Sequence, residues 1–486
     1  MSTRTPVRPA DPPPARRSAP LRAPVRPADA AVHEHVAVRV ALTAGAAAVL
    51  GMWWLGTSGG TTTGLGGWVT SVGRVTGLLG GYLVLVQVLL LARLPWFERA
   101  VGLDRLTAWH RGLGTSVVSL LSVHVLLIVE GYALTDRHAT LSEGWTVLST
   151  YPAMLRAAVG LALFLLVGAT SGRQLRPRLS YEAWYWLHLT AYVAVGLTFF
   201  HQVSAGADFR GSDPRRLLAR LVWTAMYLAV AGAVLWWRVV RPVRGWFRHR
   251  MVVDRVVREA DGVVSVWVRG HDLTAIGGRA GQFLLWRFAT AGHLWTAHPY
   301  SLSAPSTATS LRVTVKDAGD HSGALAGLRP GVPVLAEGPF GHFTSDAVTR
   351  DRTLLVAGGS GIGPVRALAE DLASRQRLGG QHNGRRRPAD LTVLYRVSNA
   401  RDLALAGELD DLAADGLLRV RHLVGRRADL RYDPLSAASL SDLVPDVAER
   451  DVFVCGPAGM TATVLRSLDQ LRVPARQVHV EEFSTS

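Results

Sequence analysis

The sequence is short of cysteine, lysine and charged residues for its length. Its 486 residues include one cysteine, Cys455. A single thiol excludes an internal disulfide and an iron–sulfur cluster held by four cysteines, so any redox group must be held by histidine or bound noncovalently. Only 19% of the residues are charged, whereas 49% are hydrophobic, which is unusual for a soluble protein of this size. Lys316 is the only lysine, so arginine carries nearly all of the positive charge behind the net +16.

The N-terminal segment, residues 1–34, lacks the apolar run of a signal peptide. It is rich in proline and arginine, a composition that predicts a disordered tail. The net positive charge is compatible with a nucleic acid or with an anionic membrane surface. A nucleic-acid function is disfavoured, because the chain has no interleaved aromatic and basic groove and no recognised nucleic-acid motif.

Long apolar stretches fill the first half of the chain. Each approaches the ~20 residues that a helix needs to cross a ~30 Å hydrocarbon core. The six stretches cover residues 36–56, 69–92, 107–129, 153–170, 183–203 and 217–240. Arginines cluster in the tail and after the second, fourth and sixth stretches, so the positive-inside rule places these flanks in the cytoplasm. The pattern predicts an all-α six-helix bundle in a lipid bilayer.

Four histidines lie inside the predicted spans, two on the third span and two on the fifth. His110 and His124 are 14 residues apart, and His188 and His201 are 13 apart. Each pair therefore lies roughly on one helix face, with its members ~20 Å apart along the axis. This predicts two stacked sites, His110 with His188 on the cytoplasmic side and His124 with His201 on the outer side. Two imidazoles can be the axial ligands of a haem iron and leave no open position on it.

Other interpretations of these histidines stay open on the sequence alone. They could form a proton relay in a transporter, bind zinc, or be unrelated polar residues packed against backbone. Arg74 lies inside the second span, toward the outer face. It is equally compatible with pairing to a haem propionate and with an arginine that reaches to the membrane interface.

From about residue 250 the pattern changes to short alternating strands, which predicts a small antiparallel β-barrel. The strands cover residues 263–269, 282–288 and 311–316. A motif of His298, Pro299, Tyr300 and Ser301 sets an aromatic ring beside a hydroxyl, which suits packing a flavin ring and bonding its polar edge. Lys316, Gly319 and Ser322 belong to a later turn whose amides and hydroxyl suit a pyrophosphate.

After about residue 350, strand-like runs alternate with helical stretches, which predicts a parallel α/β sheet. The runs cover residues 353–357, 391–397, 417–424, 451–455 and 477–483. A glycine-rich loop follows the first run and opens a helix, as a dinucleotide phosphate loop does. Its residues are Gly358, Gly359, Ser360, Gly361, Ile362, Gly363 and Pro364.

The ends of the later strands complete the predicted nicotinamide site. Arg396 and Arg401 suit a 2′-phosphate, which favours NADPH over NADH, although surface arginines are common in this chain. Cys455 either faces the nicotinamide or is a buried structural thiol. Gly456 and Pro457 follow it at the strand end. Phe483, at the end of the last strand, could stack on the flavin and yield to nicotinamide.

Residues 36–486 resemble the ferric reductase and NADPH oxidase superfamily. The histidine spacing is similar to that of the family's haem ligands, and His298 to Ser301 resemble its His-Pro-Phe-Thr flavin motif with Tyr300 in place of Phe. The glycine-rich loop, Cys455 to Pro457 and Phe483 resemble its nicotinamide half. The resemblance implies two b-type haems on the four histidines, FAD, and NADPH or NADH. The chain departs from the family in showing no calcium-binding EF-hand loop.

These expectations define four segments and one function. The segments are a cytoplasmic tail over 1–34, a di-haem membrane domain over 35–243, an FAD-binding barrel over 246–346 and an NAD(P)H-binding α/β domain over 350–486. The expected function is electron transfer from cytoplasmic NAD(P)H, through FAD and both haems, to oxygen or a ferric chelate outside the cell membrane. The alternative is a membrane haem relay that serves a separate dehydrogenase, which the reductase-like half disfavours.

Overall fold

The computed structural model describes residues 28–57, 63–276, 278–290, 293–294, 296–379, 390–426, 428–430 and 432–482. Most of the predicted tail, and Phe483, lie outside these residues. Helix α1 begins at Ala28, inside the segment predicted as tail. Alanine has the highest helix propensity, and three of the first four residues of α1 are alanine.

The first half of the chain is helical. Its helices are α1 Ala28–Thr57, α2 Gly64–Leu90, α3 Pro95–Val101, α4 Leu103–Asp136, α5 Thr140–Thr150, α6 Met154–Ser171, α7 Tyr181–Ala205, α8 Pro214–Leu235 and α9 Arg241–His249. A π-helical turn, Trp236–Val240, joins α8 to α9. Within the described residues, five helical segments are long and apolar enough to cross a membrane. They comprise parts of α1, α2, α4 and α6 and the continuous run from α8 through α9.

The predicted count of six spanning helices is not confirmed. The fifth predicted span forms α7, which has 25 residues and so has the length to cross a bilayer. It is not among the five segments above. Two histidines, Glu182 and several tyrosines lower its mean hydropathy, although they leave its length unchanged.

Small residues let the membrane helices approach closely. A Cβ on Gly131 of α4 would lie 2.3 Å from Thr70 Oγ1 of α2, and one on Gly160 of α6 would lie 2.7 Å from Thr198 Cγ2 of α7. Helix association in lipid depends on such van der Waals contact, because the lipid tails are as apolar as the side chains. Helix α4 therefore packs along α2, and α7 packs along α6.

Two three-stranded antiparallel sheets follow. Their strands are β1 Val252–Ala260, β2 Val263–Arg269, β3 Phe283–Phe288, β4 His298–Ser301, β5 Ser310–Lys316 and β6 Val334–Phe340. The sheets have the orders β1-β2-β5 and β4-β3-β6. Bridges from Val252 to Pro333 and from Leu302 to Val313 join them at both edges, which closes the strands into a barrel. Val266, Leu284 and Trp286 are fully buried inside it.

The last part of the chain is an α/β sheet. Its elements are β7 Thr353–Gly358, α11 Ile362–Gly379, β8 Leu391–Val397, α12 Ala406–Ala414, β9 Arg419–Val424, α13 Ala437–Leu443, β10 Asp451–Gly456, α14 Ala458–Gln470 and β11 Val478–Glu482. The short helix α10, Asp320–Gly323, lies earlier, between β5 and β6 of the barrel. The order is β11-β10-β7-β8-β9, and every strand pair is parallel. The predicted parallel α/β sheet is confirmed.

Candidate functional site

The two histidines predicted for the cytoplasmic side lie opposite each other. The ring centroids of His110 on α4 and His188 on α7 are 5.9 Å apart. Nδ1 of His110 lies 3.0 Å from the carbonyl oxygen of Gln87. Because a carbonyl oxygen can only accept, Nδ1 carries the proton and Nε2 of His110 keeps a lone pair for a metal.

A hydroxyl contacts the other histidine of this pair. Nδ1 of His188 lies 3.3 Å from Oγ of Ser171 at the end of α6. The same oxygen accepts a hydrogen bond of 3.2 Å from Nε1 of Trp184. Since the indole N–H can only donate, Ser171 holds Trp184 and His188 together. Sequence reasoning missed Ser171, because it lies 17 residues from His188 on a different helix.

The outer pair is built in a similar way. Nδ1 of His124 donates to the carbonyl oxygen of Gly73 over 2.7 Å, which again leaves Nε2 free to bind a metal. The second member of the predicted outer pair is His201 on α7. Its Nδ1 atom is buried and has no hydrogen-bond partner among the described residues.

The inner pair fits a metal group held between two imidazoles. Two metal–imidazole bonds of about 2 Å each, plus the offset of each Nε2 from its ring centre, add up to nearly the centroid distance of the inner pair. The backbone carbonyls of Gln87 and Gly73 fix the tautomer that binding requires, as outer-shell partners of metal-bound histidines do. Within the described residues, no group of three or more His, Cys, Asp or Glu side chains could hold a metal ion.

Arg74 lies near the loop between α7 and α8. Burial raises the pKa of Asp208 in that loop, and the charges of Arg74 and Arg216 oppose this shift. An acidic protein group is therefore close to Arg74. The two sequence interpretations, a propionate partner and an interfacial arginine, both remain predictions.

The predicted flavin motif forms strand β4, at the edge of the barrel that faces α7. Nε1 of Trp286 donates to the carbonyl oxygen of Tyr300 over 3.0 Å and fixes the strand. Burial raises the pKa of Tyr300 to about 12, so its hydroxyl stays protonated. Oγ of Ser301 is buried without a hydrogen-bond partner in the described part of the chain. An unpaired buried hydroxyl is costly, and the polar edge of a flavin would satisfy it.

The other residues of this motif line the same edge. Burial, then the nearby His293, lower the pKa of His298, and Glu182 of α7 opposes them. Nε2 of His298 lies 3.3 Å from Oγ1 of Thr296. Pro299 pairs with Leu285 of β3 and is exposed.

The turn predicted to hold a pyrophosphate follows β5, which ends at Lys316. Oγ of Ser322 accepts from the amide of Ala318 over 2.8 Å and donates to the carbonyl oxygen of Gly319 over 3.1 Å. Gly319 has a φ of 146° and open space around its Cα. The hydroxyl of Ser322 thus holds the turn itself.

The glycine-rich loop connects β7 to α11. Gly359 has a φ of 52°, with no atom within 4 Å of an added Cβ, so a ligand has room at this point. An added Cβ on Gly361 would lie 2.1 Å from the carbonyl oxygen of Cys455. Gly361 is therefore required by close packing of the loop on β10. The remaining members are at the β7 end (Gly358), in the turn (Ser360) and in the first turn of α11 (Ile362, Gly363, Pro364).

The two arginines predicted to select NADPH differ in their surroundings. Arg396 pairs with Gly358 across β7 and β8, and its Nη1 donates to the carbonyl oxygen of Leu423 over 3.0 Å. Arg401 is 70% exposed and lies 3.8 Å from Asp261. Arg396 thus lies beside the loop with its guanidinium bound to backbone, whereas Arg401 is at the surface.

Cys455 is fully buried in the core of the α/β sheet. Burial, and then the charge of Glu481, raise its pKa well above the usual value. Gly456 packs 3.1 Å from Gly358 Cα, measured from an added Cβ, and Pro457 is exposed at the strand end. Phe483 lies outside the described residues.

A buried charge cluster joins the membrane and reductase halves. Glu337 of β6 forms ion pairs with Arg93, just after α2, and with Arg287 of β3. Burial, then Arg238 and Arg287, lower the pKa of Arg93 to about 9. Arg93 and Arg287 repel each other in this cluster, and Glu337 supplies the opposite charge to both.

Two family profiles match the chain on either side of this junction. Residues 76–199 match the ferric reductase like transmembrane component, and residues 355–466 match the oxidoreductase NAD-binding domain. The chain is a fusion of these two modules. The predicted fusion is confirmed. The ferric reductase-like module contains His110, His124 and His188, whereas His201 lies two residues beyond the matched range.

Characterised relatives match the reductase half. The chain is 34% identical over 215 residues to the ferredoxin reductase component of 3-ketosteroid-9-alpha-monooxygenase from Mycobacterium tuberculosis, covering 42% of this chain and 54% of that protein. It is 27% identical over 216 residues to the NADH oxidoreductase HCR of Escherichia coli, covering 43% and 60%. The chain thus spans little more than half the length of these relatives.

A solved structure is also similar to part of the chain. The flavohem-like FAD/NAD binding domain of nitric oxide dioxygenase from Vibrio cholerae is 24% identical and covers 48% of this chain and 97% of that domain, with a TM-score of 0.37.

Proposed function

We propose that this fusion passes electrons from cytoplasmic NAD(P)H to an acceptor on the opposite side of the membrane. When bound, FAD would take up a hydride and release single electrons, and two b-type haems would carry those electrons across the apolar span. The observation that supports this most directly is the inner histidine pair. His110 and His188 face each other at 5.9 Å, on two helices of the same membrane module that is fused to a nicotinamide-binding module.

The chain's own residues would do three things in this function. His110 with His188, and His124 with His201, would each hold one haem, which would supply one-electron transfer. Tyr300 and Ser301 would orient the flavin ring. The loop around Gly359 would place the nicotinamide nucleotide at the amino end of α11, where the helix dipole favours a phosphate.

The arginines after α8 support a cytoplasmic reductase. Arg238, Arg241, Arg244 and Arg248 lie in the last helical segment before the barrel. By the positive-inside rule, this end faces the cytoplasm, where NAD(P)H is available. An outer acceptor, either oxygen or a ferric chelate, would then meet the His124 and His201 side.

The first test uses detergent-solubilised protein without oxygen. NADPH or NADH is added, and the flavin and Soret bands are recorded together. We expect flavin bleaching followed by haem reduction with no added dehydrogenase. A protein without a Soret band would refute the proposal, and haems that stay oxidised until a separate dehydrogenase is added would show a relay subunit. Subsequent addition of oxygen or a ferric chelate identifies the acceptor that reoxidises the haems faster.

The histidine assignment is tested separately. His201→Leu should remove the outer haem and lower the haem-to-protein ratio by about half, because one axial ligand is lost. His138→Leu is the matched control, since its side chain is 57% exposed and pairs with Glu143. Equal haem content in both variants would show that His201 is not a ligand.

A further inference from the structure

A row of aromatic rings leads from the flavin-motif strand to the inner histidine pair. Tyr300 and His298 of β4 have ring centroids 6.4 Å apart. His298 is 6.4 Å from Tyr181 at the start of α7, and Tyr181 is 6.0 Å from Trp184. Trp184 is 5.0 Å from His188. Each ring thus contacts the next, from the reductase half into the membrane half.

The sequence of α7 produces the membrane part of this row. Tyr181, Trp184 and His188 are separated by three and then four residues, so they lie on one helix face. They rise ~10 Å along the axis. Other side chains hold the indole in place. Its Nε1 donates to Ser171, and the guanidinium carbon of Arg176 lies 4.6 Å from the Trp184 ring centroid, a cation–π distance.

We propose that Tyr181 and Trp184 are the electronic bridge between the flavin and the inner haem, an inference that rests on the proposed function above. In each step, one electron leaves the reduced flavin and one ferric inner haem becomes ferrous. Any proton that the flavin loses passes to cytoplasmic water. Tyr181 and Trp184 are neither oxidised nor reduced overall, because they provide close-packed contact between donor and acceptor.

Four variants separate a bridge from a merely structural role. Trp184→Leu removes the ring, and Trp184→Phe keeps a ring but removes the hydrogen bond to Ser171. Ser171→Ala removes that hydrogen bond and keeps the indole. Trp186→Leu is the matched control, because Trp186 lies on the same helix and is 52% exposed.

The measurement is anaerobic stopped-flow mixing with NADPH, following the flavin and Soret bands in one trace. Haem content and the electron paramagnetic resonance spectrum of the ferric haems are recorded for each variant. In Trp184→Leu we expect flavin bleaching at the wild-type rate and inner-haem reduction slower by about tenfold or more, equivalent to ~1.4 kcal/mol on the barrier. Trp184→Phe and Trp186→Leu should stay within about threefold of wild type, well under that barrier change. Ser171→Ala should be slowed less than Trp184→Leu, because it keeps the indole.

Several outcomes would overturn the bridge. Haem reduction at the wild-type rate in Trp184→Leu would overturn it. So would a Ser171→Ala variant that is equally slow with an altered resonance spectrum, since Trp184 would then act by positioning His188. If Trp184→Leu does not retain haem, Tyr181→Leu decides, because Tyr181 lies one ring further from His188, next to Trp184. A wild-type protein without haem, or with haems that NADPH does not reduce, would instead refute the proposed function itself.

Discussion

Close packing of the loop on β10 leaves no room for a side chain at Gly361. A Cβ at this position would lie 2.1 Å from the Cys455 carbonyl oxygen and 2.9 Å from the Gly456 amide nitrogen. Backbone atoms of β10, which is paired on both sides, cannot move aside. Gly361→Ala should therefore destabilise the domain by ~1–3 kcal/mol or more. We expect a lower thermal midpoint and slower NADPH-driven flavin bleaching.

Gly363 provides the matched control two residues later. Its added Cβ would lie 3.5 Å from Ser303 Cβ and 3.8 Å from Thr314 Cβ, which is ordinary contact. Gly363→Ala should therefore leave the free energy of unfolding within ~0.5 kcal/mol of wild type. Equal effects of the two substitutions would contradict the packing argument.

Cys455 should be unreactive at neutral pH. Because burial raises its pKa well above the usual value, the folded protein keeps the thiol protonated, and only the thiolate reacts with alkylating reagents. Iodoacetamide labelling should be slow at pH 7–9 and become fast when the protein is unfolded in urea. The sign for stability follows from the same shift, because the unfolded thiol ionises first. The contribution of the Cys455 thiol to stability is complete below the pKa of the unfolded thiol and decreases as the pH rises above that value. Rapid labelling of the folded protein at pH 8 would contradict the prediction that the thiol is unreactive.

At the scale of elements, the close packing of α2 on α4 positions a predicted haem ligand. A Cβ on Gly77 would lie 2.5 Å from Nδ1 of His124, and that nitrogen is bonded to Gly73 on the previous turn of α2. Gly77→Ala should push the imidazole away from Gly73. We expect lower occupancy of the outer haem or a changed resonance spectrum, with the inner haem unaffected. Gly51→Ala on α1, where an added Cβ meets nothing within 4 Å, should leave both haem signals unchanged.

Elements with a regular pattern could be predicted from the sequence. The run at 391–397 coincides with β8, and the run at 282–288 differs from β3 by one residue. The helix bearing His188 and His201 was also expected, although its polar residues leave its membrane crossing unconfirmed. The short helices α3 and α5 were not expected, because seven and eleven residues carry little periodic signal.

The histidine pairs could be expected from spacing, but their supporting partners could not. Spacing along one helix fixes which side chains share a face. Ser171, the Gln87 carbonyl and the Gly73 carbonyl reach the histidines from other helices, so their contacts depend on tertiary packing. Ion pairs across domains cannot be predicted from a local sequence pattern. Glu337 and Arg93, for example, are 244 residues apart in the sequence.

For the whole molecule, function requires the two halves to stay docked. Glu337 has 7% of its side chain exposed, and its partners Arg93 and Arg287 have 14% and 18%. Removing one partner of a buried ion pair typically costs ~3–5 kcal/mol, because the remaining charge is left uncompensated. This cluster lies between the loop after α2 and the barrel. Leaving one of its arginines unpaired should therefore weaken the contact between the two halves.

Glu337→Gln should therefore loosen the docking while leaving each half folded. We expect flavin bleaching by NADPH at the wild-type rate, slower haem reduction, and faster proteolysis near residue 250, where the helices meet the barrel. Glu449→Gln is the matched control, because Glu449 is 72% exposed in its pair with Arg352 and exposed ion pairs contribute little to stability. The double substitution Arg93→Met with Glu337→Met should recover only part of the loss, because it removes one of the two buried arginines that Glu337→Gln leaves uncompensated, and Arg287 remains. If Glu337→Gln reduces its haems as fast as wild type and resists proteolysis equally, other contacts hold the halves together.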